Sequence, residues 1–159
     1  MKMSIRLANT SDIPQVSDLR MEYLRSVYSL KGKETIIKEN NCMYLRRNLN
    51  KTCYVALGFK EENLCSCAYM TLIEKAANLR FVDGIYGEIY GVYTLPEYRC
   101  QGIATELIKI LIVKGQEMQL PYIQLEASVD GYHLYKNIGF IETDSDYIEM
   151  KLFLSHQDI

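Results

Sequence analysis

Arg99, Gly102 and Ala104 stand in the spacing Arg-x-x-Gly-x-Ala, just ahead of a long apolar stripe. That spacing suits the binding of a phosphate or pyrophosphate. A turn at this point aims several backbone N–H groups at one spot, and the positive end of the following helix dipole adds to them. Small residues at Gly102 and Ala104 let a ligand approach the backbone closely. The stretch Tyr93-Thr94-Leu95-Pro96-Glu97-Tyr98-Arg99-Cys100-Gln101-Gly102-Ile103-Ala104-Thr105 reads as the end of a strand, a tight turn and the start of a helix.

The flanking elements must hold that turn. Ile103, Leu107 and Leu111 recur every four residues, with Ala104, Ile108 and Ile112 alongside. This is the stripe of a helix packed on a sheet. The helix stops before Pro121, so it runs about 17 residues, or about 25 Å. Residues 87–95 read as a strand. Alternation places Ile89, Gly91, Tyr93 and Leu95 on one face and Glu88, Tyr90, Val92 and Thr94 on the other. A glycine inside a strand marks a bulge or a close backbone approach, so Gly91 points to a disturbed strand just upstream of the turn.

Thr94-x-Pro96-x-Tyr98-Arg99-x-x-Gly102-x-Ala104 resembles the acetyl-CoA motif of the GNAT superfamily of N-acetyltransferases. Leu125-Glu126-Ala127-Ser128, then Gly131, then Leu134-Tyr135-Lys136-Asn137-Ile138-Gly139-Phe140 resemble that family's next strand and its Leu-Tyr-x-x-x-Gly-Phe helix. The opening Ile5-Arg6-x-Ala8-x-x-x-Asp12-Ile13 resembles its first strand and turn. The matches span nearly the whole chain in order. The resemblance implies one domain over residues 1–159, of α/β class, with a mixed, mostly antiparallel twisted sheet flanked by helices and splayed at the acyl-CoA site. It also implies transfer of an acetyl group from acetyl-CoA to a small-molecule or peptide amine, by direct attack in a ternary complex, and it is compatible with a homodimer.

Site residues follow from the same resemblance. Backbone groups of Val92, Tyr93 and Thr94 would bind the pantetheine arm and polarise the acetyl carbonyl. Arg99, Cys100, Gln101, Gly102, Ile103, Ala104 and Thr105 would hold the pyrophosphate. Ser128 lies where the family often has a polar residue near the pantetheine; a plain turn hydroxyl is the alternative. The chain departs from the family at Cys100, where glycine is usual. The expectation is that Cys100 takes the needed shape with a negative φ and acts as a small filler, because no neighbouring base would activate it.

Acetyl transfer to an amine needs a positioned thioester, a proton acceptor for the amine and a proton donor for the leaving thiolate. Tyr135 matches the family tyrosine near the coenzyme sulfur. A phenol, with an ordinary pKa of about 10, stays protonated at neutral pH as such a donor must. The competing reading is a tyrosine packed under the sheet. Glu88 lies on the strand leading into the site and could take the amine proton directly or through water; an exposed strand carboxylate is the simpler reading. His133 reads as solvent-facing. Tyr90, Glu22 and Tyr23 could border the acceptor.

Composition narrows the classes. The 159 residues carry a formal charge of −2, which argues against a general nucleic-acid surface. No stretch approaches the ~18 apolar residues of a membrane span, and the opening residues lack a signal-peptide core. Five cysteines, at 42, 53, 65, 67 and 100, form no Cys-x-x-Cys pair and suit a reduced, cytoplasmic setting. Cys65 and Cys67 would share one strand face. With two histidines, His133 and His156, no His/Cys metal site is expected.

The remaining elements are strands over 4–8, 52–59, 64–73 and 122–127 and helices over 13–27, 33–49 and 131–137, with last strands over 140–142 and 147–154. Asn40-Asn41 interrupts the apolar pattern of the second helix. Glu61-Glu62-Asn63 turns a hairpin. Residues 75–83 read as a loop which, with the first two helices, walls the acceptor pocket. The Gly-x-x-x-x-Gly-Lys-Ser/Thr phosphate loop and the Gly-x-Gly-x-x-Gly dinucleotide turn are both absent, which disfavours ATPase and oxidoreductase readings. A non-catalytic acyl-CoA-binding sensor on the same fold is the alternative function.

Overall fold

A two-residue hairpin turn of type I′ has positive φ at both central positions, which matches the twist of the strands it joins. Glu61 (φ 48°) and Glu62 (φ 69°) adopt it. They join β2 (Cys53–Lys60) to β3 (Asn63–Glu74) in antiparallel register, with Lys60 opposite Asn63. β1 (Met3–Leu7) pairs antiparallel with β2, and β4 (Ile85–Thr94) antiparallel with β3. β5 (Ile123–Leu125) lies parallel to β4. The strand order is β1-β2-β3-β4-β5 in one mixed sheet. The computed structural model describes residues 2–144 and 148–154 of the chain.

Helices cover both faces. On one face α1 (Ile13–Val27) and α2 (Glu34–Asn48) set Val16, Leu19 and Leu45 against Val55, Leu57, Tyr69 and Tyr93. On the other, α3 (Ile103–Glu117) sets Leu107, Ile108 and Leu111 against Ala56, Ala68, Met70 and Ile89. α3 also supplies the crossover that a parallel β4–β5 pair requires. α4 (Tyr132–Ile138) adds Leu134, Tyr135 and Ile138 to this second layer. α2 continues through Asn40 and Asn41, so tertiary packing overrides their weak helix propensity.

Three expectations fail, each for its own reason. Ser66 pairs with Gly58 but Leu64 with Phe59, so Cys65 is an extra residue in the ladder. A bulge shifts side-chain parity by one. Cys65 therefore packs under α3 and Cys67 under α1, on opposite faces. The expected strand at 140–142 is also absent. Gly139 takes φ 117°, and the Phe140 N–H bonds the Tyr135 carbonyl at 3.0 Å. Phe140 thus serves the C-terminal cap of α4 instead of a ladder. Residues 148–154 form no strand, and Ile148, Met150 and Leu152 are exposed; alternation makes a strand only where a partner edge accepts it. Tyr147 lies outside the described residues.

The entry to α1 is pinned electrostatically. Asp12 is buried; it receives bonds from Arg6 Nη1 at 2.6 Å, Arg6 Nη2 at 2.7 Å and the Asn9 N–H at 2.8 Å. The Arg6 guanidinium holds the Asp12 carboxyl down at about 2, against an ordinary 3.8. A carboxyl lowered in the folded state stabilises at neutral pH, and that contribution is lost as the pH falls through the folded value. Asp12→Asn should therefore cost about 2 kcal/mol at pH 7. Urea midpoints of parent and variant should converge as the pH drops from about 4 towards about 2. A gap that stays constant with pH would show that the pair is electrostatically silent.

Candidate active site

The centre of β4 is built around one extra residue. Cys67 pairs with Tyr93 but Tyr69 with Tyr90, so Gly91 and Val92 both oppose Ala68. Gly91 has φ 58°, the left-handed position of a glycine bulge. A Cβ there would lie 2.8 Å from Arg20 Nη1 and 3.2 Å from the Tyr69 ring. Glycine is thus required both by conformation and by close approach. The bulge also corrects the expected alternation. Tyr90 and Tyr93 pack on the α1 side, whereas Ile89 and Val92 pack on the α3 side.

Beyond the bulge the sheet opens. β4 pairs with β5 through Gly87, Glu88 and Ile89, and from residue 90 onward its outer edge has no strand partner among the described residues. Buried Ser66 braces this free stretch: its hydroxyl donates to the Tyr93 carbonyl at 2.8 Å and lies 2.7 Å from the Thr94 hydroxyl. The Cys67 thiol, which burial pushes up to about 12, points weakly at the Gly91 carbonyl, 3.9 Å away.

The turn that follows is shaped to receive an anion. Arg99 is extended, and its Nε donates to the Thr94 carbonyl at 2.9 Å. Its guanidinium also lies over the Tyr93 ring at 5.7 Å. Cys100 has φ 57° and Gly102 φ 79°. The expected negative φ at Cys100 is therefore wrong: the position is left-handed, which explains why glycine is usual there. The N–H groups of Cys100, Gln101 and Gly102 have no partner among the described residues. Those of Ile103, Ala104 and Thr105 open α3 and are orphans of its first turn. Alternating backbone conformations with free N–H groups make an anion nest, and the helix dipole reinforces it. A Cβ on Gly102 would meet nothing within 4 Å, so the nest faces open space. Lys60 Nζ bonds Gln101 Oε1 at 3.0 Å and brings a cation to its rim.

α4 follows β5, and its Tyr135 packs in the same apolar layer as Val92 of β4. Tyr135 is half-buried, and burial, with a smaller effect from the Tyr23 phenol, pushes its phenol above the usual value. A Cβ on Gly131 would come within 2.9 Å of the Tyr135 ring. Ser128 Oγ accepts from the Gly131 N–H at 3.2 Å, a turn-capping bond that leaves its own proton free to donate. Glu88 lies three residues before Gly91 and accepts from Gln124 Nε2 at 3.0 Å. His133 is exposed.

A family model described as the acetyltransferase (GNAT) family matches residues 13–140. The chain belongs to the GNAT acetyltransferase family. Solved structures agree with the fold. A predicted acetyltransferase from Clostridium acetobutylicum, solved with acetyl-CoA, is 25% identical with a TM-score of 0.80, over 98% of this chain and 100% of that one. A GCN5-related N-acetyltransferase from Ralstonia eutropha is 17% identical with a TM-score of 0.78, over 94% and 99%. Glucosamine-6-phosphate N-acetyltransferase from Arabidopsis thaliana is 16% identical with a TM-score of 0.73, over 98% and 100%. No curated protein matches the chain.

In this GNAT chain the α1 side of the bulge carries a cavity of about 210 Å³, lined by Arg20, Asn41, Tyr44, Leu45, Tyr69 and Tyr90. Burial raises the Tyr44, Tyr69 and Tyr90 phenols, so all three stay protonated. Arg20, Tyr44, Tyr69 and Ser66 carry no motif and were not legible as site residues; each is fixed by packing across the bulge. The loop at 75–83 does not reach this cavity. Its Phe81 packs on Tyr86 and Tyr122, five residues along β4 from Gly91, roughly 16 Å.

The left-handed cysteine gives a direct test. A side chain costs about 1–2 kcal/mol in that region, partly offset by the extra freedom glycine gives the unfolded chain. Cys100→Gly should raise the thermal midpoint by about 1–3 °C. Calorimetric scans of both proteins measure this; a lower midpoint would show that the thiol packs productively.

Proposed function

We propose that this chain is an N-acetyltransferase that moves the acetyl group of acetyl-CoA to an amine by direct attack in a ternary complex. One observation carries the reading: a glycine bulge leaves the outer edge of β4 unpaired just ahead of an anion nest, with Tyr135 packed in the same layer as Val92 beyond the bulge. Residues 99–105 suit the pyrophosphate of the co-substrate, and the free edge formed by Val92, Tyr93 and Thr94 suits its pantetheine arm and acetyl carbonyl. Ser128 can donate its remaining proton to the same arm. All five cysteines are free among the described residues, which fits a cytoplasmic enzyme, and no described helix is long and apolar enough to cross a membrane.

The chemistry balances with the chain's own groups. The amine nitrogen bonds to the thioester carbonyl carbon while its extra proton leaves to Glu88, directly or through water. The carbonyl oxygen draws charge towards the backbone of the bulge. The C–S bond then breaks, the Tyr135 phenol gives its proton to the departing sulfur, and the proton held by Glu88 returns to the phenolate through water, which restores both groups. A phenol whose pKa burial raises is fully protonated when the thiolate forms beside it.

Release of free thiol from acetyl-CoA with a panel of amines tests the reading. Turnover with at least one amine is expected; acetyl-CoA binding without turnover would make the chain an acyl-CoA-binding module. Tyr135→Phe should lower kcat by about 10²–10⁴-fold and leave acetyl-CoA affinity near that of the parent. Parental kcat, with chemistry limiting, would return Tyr135 to a packing role. Gly102→Glu should abolish acetyl-CoA binding by bulk and like charge, as calorimetry on the folded variant would measure.

A further inference from the structure

The cavity beside the bulge holds a cation with nothing to neutralise it. Arg20 Nη1 and the Tyr69 hydroxyl are both buried and both without a hydrogen-bond partner. Arg20 stacks over the rings of Tyr69 at 5.1 Å and Tyr90 at 5.6 Å, which fixes its plane but supplies no anion. Among the described residues no carboxylate pairs with it. A buried donor left unmade costs about 1–3 kcal/mol, and more when charged. Both residues line the same cavity, and a buried donor without an acceptor calls for a partner from outside the chain.

We propose that Arg20 and the Tyr69 hydroxyl bind a carboxylate on the amine acceptor, so that the substrate class is small amino acids with an apolar body. The assignment rests on acetyl transfer being the reaction. One guanidinium fork and one phenol match the two oxygens and single charge of a carboxylate. A phosphate, with three oxygens and up to two charges, would call for a second cation, and none lines the cavity. The rings of Tyr44, Tyr69 and Tyr90 and the side chain of Leu45 receive the apolar body. Arg20 Nη1 lies against Gly91, so a carboxylate held there would sit beside the bulge whose following residues, Val92 to Thr94, suit the acetyl carbonyl, and an amine close to that carboxylate would be brought near the thioester.

The test uses the full chain with acetyl-CoA and matched acceptors: leucine against 3-methylbutylamine, phenylalanine against 2-phenylethylamine, and O-phosphoethanolamine against ethanolamine. The carboxylate-bearing member should be favoured by about 10–100-fold in kcat/KM. Arg20→Gln should bring that ratio close to one, and Arg20→Lys should keep part of it. Plain amines favoured over their carboxylates, or a ratio untouched by Arg20→Gln, would overturn the proposal. A phosphate member preferred in its place would overturn the carboxylate assignment. Calorimetric titration of 4-methylpentanoate into the protein with coenzyme A gives a second reading without turnover. Binding should weaken at least about 10-fold in Arg20→Gln and several-fold in Tyr69→Phe, which retains the ring should the arginine variant not fold. If no amine is acetylated yet this binding depends on Arg20, the anion site stands and the transfer reading fails. If amines are acetylated without regard to a carboxylate, the reverse holds.

Discussion

A single surplus residue in β4 governs the rest of the molecule. With Gly91 and Val92 set against Ala68 alone, the strand cannot continue a regular ladder on either edge. Its outer edge parts from β5, its inner edge is caught by Ser66 and Cys67, and its side chains exchange faces. Tyr90 and Tyr93 thereby come to lie on the same side, where they face α1. Without that exchange Tyr93 would sit under α3 and lose its packing against Tyr23. Glycine alone tolerates both the left-handed backbone and the guanidinium 2.8 Å from its missing Cβ.

The electrostatics divide along the same line. On one side of the bulge the N–H groups of residues 100–105 and the α3 dipole make a positive end without a charged side chain at its centre. On the other, Arg20 supplies a full charge in a buried setting. Both are held by structure that forms whether or not a ligand is bound, so neither has to be assembled when one arrives. Preorganised dipoles of this kind cost no reorganisation at the moment of reaction. Near-neutral overall charge is no guide to such a site, because the field is local.

Much of this was legible in the sequence, and what was not has a common cause. Apolar periodicity located α1 and α3, and Arg99, Gly102 and Ala104 located the turn. Gly91 pointed to the bulge. Period-two alternation could not foresee which faces the bulges would exchange, so Cys65 and Cys67 were paired on one face and Ile89 was grouped with Tyr93. The expectation that Cys100 takes the turn's shape with a negative φ fails because this turn holds it in the left-handed region. Arg20 reads in sequence as an ordinary helix-surface charge. Only the fold reveals that α2 covers it and that Gly91 makes room for it. Residues whose role comes from long-range packing leave no local spacing to read.

The order of the strands has a consequence for how the groove comes into being. β2 and β3 are neighbours in sequence, joined by a two-residue turn and paired along the length of β2, so their closure demands little loop entropy. β5 meets β4 through Gly87, Glu88 and Ile89 after a crossover that includes all of α3. Contacts of that separation form late, because the intervening chain must be ordered first. The groove is therefore bounded on one side by a hairpin of local pairing and on the other by a three-residue strand reached only through the long crossover.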